Sequence, residues 1–119
     1  MSFARAQMAV VAFAAVLCAA CGGSSDVSCP NDAVVCPSPA PSYSTTVSVI
    51  IQNRCLSCHG PGGQWASKPF NTYDLVFANR GAILNQVYAC RMPPAGATPP
   101  TPNERAQLIG WLACSAPNN

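Results

Sequence analysis

The chain has 119 residues, half of them apolar, with six Lys and Arg against four Asp and Glu. That length allows one small domain, and a net charge of +2 without a basic cluster excludes a nucleic-acid-binding surface. Eight cysteines in so short a chain point to an oxidising compartment or a bound cofactor.

In chain order, Arg5 gives a short positive start, and Met8 to Leu17 is an apolar run too short to span a bilayer but suited to a signal sequence. Ala19-Ala20-Cys21-Gly22 follows and resembles a bacterial lipoprotein signal, in which cleavage frees a cysteine for lipid attachment. The Leu that this pattern prefers three residues before the lipidated cysteine is replaced by Cys18. The expectation is a signal peptide over 1–20 and lipidation of Cys21, which would export the chain and anchor it at the periplasmic face of a bacterial membrane. Gly22, in place of Asp after the cysteine, favours the outer membrane. An ordinary secretory signal with a soluble product is the alternative. No other segment is apolar enough to span a membrane.

Residues 21–44 are rich in Ser and Pro and are expected to form a flexible, extended tether. A domain over 45–119 remains, small enough to need a staple or a cofactor. Thr45 to Cys58 carries Val47, Ile50 and Ile51 at helical spacing. Asn71 to Cys90 reads as two short helices, the first capped by Asn71 or Thr72 and separated from the second by Gly81. The last helix starts at a capping box, Thr101 with Glu104, has Pro102 in its first position, and runs to Ala113 with Leu108, Ile109 and Leu112 as its stripe. Gly110 within that helix suggests a close helix crossing. No segment keeps a two-residue alternation, so the expected fold class is all-α.

The chemistry is concentrated in Cys55-Leu56-Ser57-Cys58-His59. Thiols three residues apart leave one face of a helical turn, where they can attach to the two vinyl groups of a planar haem, and the next imidazole can reach the iron. This is the attachment signature of a c-type haem. A zinc site would need a second close pair of ligands, which Cys90 and Cys114 do not form. A thioredoxin-like redox pair would need a strand–helix context, and a plain Cys55–Cys58 disulfide would leave His59 without a role. Beyond the signal, His59 is the single His and Met92 the single Met. Met92 lies in Cys90-Arg91-Met92-Pro93-Pro94, where the prolines stiffen a loop that can present a thioether to iron. The alternative is a Met that fills a gap in the core.

From Thr45 to Cys114, about sixty per cent of its length, the chain resembles the small class I c-type cytochromes of bacteria. The attachment motif matches at Cys55, Cys58 and His59, the distal ligand at Met92, and the packing helix at Pro102–Ala113 with Trp111. The resemblance implies a helical fold around one covalent haem c, His59 and Met92 as iron ligands, and electron transfer with redox proteins of the cell envelope. Such a protein would be a monomer and not an enzyme. A haem enzyme or gas sensor of peroxidase-like type, with an open sixth iron position, is the alternative, although no acid–base pair supports it. Four cysteines are left for disulfides, and Cys29–Cys36 with Cys90–Cys114 is the simplest of three pairings. Arg80, Arg91 and Lys68 are candidates to pair with haem propionates. Trp65, Phe70, Tyr73 and Tyr88 are expected to wall the haem pocket or the core.

Overall fold

The computed structural model describes residues 29–119. The signal peptide expected over 1–20 and the lipidation expected at Cys21 lie outside the described residues. The described residues are helical and contain no strand. A π-helical turn, Tyr43–Val47, leads into α1 (Ser48–Arg54), followed by α2 (Leu56–His59), α3 (Tyr73–Ala78), α4 (Arg80–Tyr88) and α5 (Pro102–Ala113).

The caps fall where the side chains allow them. Ser42 accepts from the Thr45 N–H at the opening turn, and Thr72 accepts from the Leu75 N–H at α3. At α5 both halves of the capping box form: Glu104 N donates to the Thr101 hydroxyl at 3.2 Å, and Thr101 N donates to the Glu104 carboxylate at 2.7 Å. The expected helix over Thr45–Cys58 starts earlier, at Tyr43, and is interrupted at Cys55, whose φ of −120° leaves helical geometry. The break between α3 and α4 falls at Asn79 and not at Gly81, which lies inside α4. The Asn79 side-chain amide donates back to the Leu75 carbonyl at 2.8 Å, closing the end of α3 locally.

The core joins the first helical stretch to α5. Trp111 and Val47 are fully buried, with Ile51 and Leu108 1% exposed. Trp111 lies 5.5 Å from the Tyr43 ring and donates its indole N–H to the Pro117 carbonyl at 3.0 Å. At the opposite end of the pair, Arg54 makes a two-pronged ion pair with Glu104, with N–H···O distances of 3.1 Å. The start of the first stretch therefore meets the end of α5, and the end of α1 meets the start of α5.

The Thr101 backbone N–H, and after it the Arg54 guanidinium, hold the Glu104 carboxyl below the usual carboxylate range, against the opposing effect of burial. A carboxyl whose folded pKa is depressed contributes stability above its unfolded value and loses it as pH falls through the folded value. In denaturant unfolding, the stability gap between wild type and Glu104→Gln should hold above pH of about 4.3 and close on further acidification. A gap that stays constant into acid would exclude this role for Glu104.

The cysteine pairing corrects the expectation. Cys29 bonds Cys90 and Cys36 bonds Cys114, across sequence separations of 61 and 78 residues. Neither Cys29–Cys36 nor Cys90–Cys114 forms. From Cys29 onward the Ser/Pro-rich segment is consequently an arm fastened along the helical body. The Tyr88 hydroxyl donates to the Asp32 carbonyl at 3.1 Å, and the Ser42 hydroxyl to the Asn119 carbonyl at 2.8 Å. Gly110 does mark a close approach, but to this arm and not to a helix. A Cβ there would lie 2.8 Å from Pro37 Cδ and 3.2 Å from the Val35 carbonyl oxygen, so only glycine lets the arm lie flat on α5. The two disulfides are compatible with an exported protein. Among the described residues, no helix is long and apolar enough to cross a membrane.

Candidate functional site

The short helix α2 carries Cys58 and His59, with Cys55 directly before it, and the chain then folds back on it. Gly63 N donates to the Gly60 carbonyl at 3.0 Å, and Trp65 N to the Cys58 carbonyl at 2.8 Å. A side chain on Gly63 would collide with that same Cys58 carbonyl, which explains the glycine. The return brings Lys68 and Phe70 to His59. Phe70 N donates to the His59 carbonyl at 3.1 Å, and the two rings stack at 4.4 Å. His59 Nδ1 lies 2.8 Å from the Lys68 carbonyl oxygen. A carbonyl only accepts, so Nδ1 is the donor, and in the neutral ring the lone pair lies on Nε2. This is the tautomer that a metal-ligating imidazole needs, with its second nitrogen fixed by a carbonyl.

Cys55, Cys58 and His59 line one cleft of about 660 Å³, and Met92 lines it from the other chain segment, followed by Pro93 and Pro94. Its volume falls in the usual range for ligand pockets, about 300–1,000 Å³. Leu75, Ile83, Val87 and Leu108 supply apolar wall from α3, α4 and α5. Of the six cysteines among the described residues, four are paired in disulfides, and Cys55 and Cys58 are the two free thiols. Burial pushes the Cys55 thiol up to about 11, so it is held as neutral S–H and not as a reactive thiolate. Among the described residues, no group of three or more His, Cys, Asp or Glu converges to hold a bare metal ion.

The donor set suits a haem: two thiols free for thioether bonds, one imidazole with Nε2 available, one thioether, and apolar walls. The other sequence candidates divide. Trp65 and Phe70 line the cleft, whereas Tyr73 and Tyr88 pack against the core. Lys68 lines the cleft. Arg80 instead lies 4.1 Å over the Phe77 ring, and Arg91 reaches the Asn85 side chain at 3.4 Å. Arg54, which sequence reasoning did not select, lines the cleft while paired to Glu104. The Lys68 carbonyl was also missed, because a backbone acceptor has no signature in the side-chain sequence.

No protein-family model, curated protein or solved structure matches the chain.

Proposed function

We propose that this chain is a mono-haem c-type electron carrier, with the haem held through Cys55 and Cys58 and the iron between His59 and Met92. The observation that carries the reading is the meeting of these four side chains on one cleft, with the two motif thiols left free while the others pair. The bound haem would supply an iron that gains and releases one electron. The chain's own residues would set the conditions. The Lys68 carbonyl and the Phe70 ring would fix the imidazole, the carbonyl contact would raise its basicity, and Leu75, Ile83, Val87 and Leu108 would give the haem an apolar wall. As an iron ligand Met92 would favour the reduced state and would leave no position for a substrate, which supports a carrier over an enzyme or gas sensor.

Export and lipid attachment at Cys21 belong to the same reading, with redox proteins of the cell envelope as partners. The Cys29–Cys90 disulfide shortens the leash in that case. Only eight residue steps separate Cys21 from Cys29, a reach of at most roughly 29 Å, where the whole Ser/Pro-rich segment would have reached much further. The haem domain would work close to its membrane.

Covalent attachment is the deciding test. The protein expressed with cytochrome c maturation should retain haem through acid–acetone extraction and denaturing electrophoresis. Replacing both Cys55 and Cys58 by Ala should abolish the retained haem. Covalent haem in the double variant, or none in the wild type, would refute the proposal.

A further inference from the structure

We infer that the Cys29–Cys90 disulfide is a positioning device for Met92, holding the loop after α4 so that the thioether faces the cleft. The inference rests on the reading of Met92 as an iron ligand. The chain leaves α4 at Tyr88 and turns sharply at Cys90, whose φ of +52° is left-handed, a region that side-chain-bearing residues occupy only when their surroundings impose it. Arg91 N and Met92 N then both donate to the Gln86 carbonyl, at 2.9 and 3.2 Å. Gln86 and Val87 line the cleft beside Met92, so this turn sets the wall and the thioether together.

The other half of the disulfide is tied down as well. Arg105 of α5 donates to the Tyr88 carbonyl at 2.8 Å and to the Pro30 carbonyl at 3.5 Å, next to Cys29. The arm, the end of α4 and the start of α5 thus meet at Cys90, two residues before Met92. Downstream the loop is loosely held. Residues 93–100 make one backbone hydrogen bond, Ala97 N to the Pro94 carbonyl at 3.1 Å, and it is internal to the loop. The position of Met92 is therefore set from the Cys90 side. The second disulfide is a natural control, since neither Cys36 nor Cys114, nor any chain neighbour of either, lines the cleft.

The test compares four holoproteins: wild type, Met92→Ala, Cys29→Ser/Cys90→Ser and Cys36→Ser/Cys114→Ser. Covalent haem content, the ferric sulfur-to-iron charge-transfer band and carbon monoxide binding to the reduced protein are measured on each. The Cys29/Cys90 variant should keep its haem, lose most of the band, and bind carbon monoxide at least about ten-fold more tightly than wild type, as a site released from an occluded state does. The Cys36/Cys114 variant should keep the band and lose thermal stability only. Should the Cys29/Cys90 variant not fold, wild-type holoprotein is titrated with a phosphine reductant and its cysteines are mapped by alkylation. With the freed thiols blocked by alkylation and the iron returned to the ferric state with ferricyanide, the band should be lost in step with labelling of Cys29 and Cys90, not of Cys36 and Cys114. A band that survives loss of the Cys29–Cys90 bond, with carbon monoxide still excluded, overturns the inference. A wild type that lacks the band and binds carbon monoxide like Met92→Ala instead overturns the ligand assignment, and the inference with it.

Discussion

In the proposed haem carrier, Met92→Ala should open the iron to carbon monoxide while the haem stays on the chain. The haem would remain because Cys55 and Cys58 are untouched, and His59 would keep its contact with the Lys68 carbonyl. The position would open because no other His or Met among residues 29–119 could replace the thioether, His59 and Met92 being the only ones there. The reduction potential should fall, since a thioether stabilises ferrous iron more than water does. The ferric charge-transfer band near the red edge of the visible spectrum should vanish. Equal carbon monoxide binding by wild type and variant would place the open-site haem enzyme or sensor ahead of electron transfer. The variant should fold, because Met92 lies in the loop and outside the buried core.

The local parts of this design are legible in the sequence because they are made by near neighbours. The α5 capping box needs only Thr101 and Glu104, and the α3 cap needs only Thr72. Cys55, Cys58 and His59 likewise lie within five residues, and all three line the same cleft. The cysteine pairing is different. Proximity in sequence favours Cys29–Cys36, yet loop-closure entropy rises so slowly with length that long-range bonds are scarcely penalised, and packing decides. Here the deciding contact is an irregular arm lying on Gly110 and Tyr88, which has no periodicity to read. Its prolines suggest a linker by composition, although Pro37 supplies the packing surface. The same limit hides the Lys68 carbonyl behind His59, and it misplaces the α3–α4 break. Glycine is an obvious breaker, but the side-chain amide of Asn79 closes the helix instead.

Trp111→Ala should remove a large part of the stability of the domain. The side chain is fully buried, and its ring meets Tyr43 at 5.5 Å and Tyr73 at 6.2 Å, joining α5 to the opening turn and to α3. Truncating a buried Trp costs about 3–5 kcal/mol, through lost transfer energy and the cavity left behind. The variant also leaves the Pro117 carbonyl without its indole partner. A domain of this size has a total stability of roughly 5–15 kcal/mol, and a small core puts it towards the lower end. With each 1 kcal/mol worth about 4–8 °C, the melting temperature should drop by roughly 12–40 °C. Trp111→Phe should cost less, because the ring remains and only the hydrogen bond and part of the volume are lost. The two disulfides survive in both variants and limit the unfolded state, so cooperative melting should remain measurable. A shift of only a few degrees in Trp111→Ala would show that the arm and its disulfides, not the aromatic contact between α5 and the opening turn, hold the helices together.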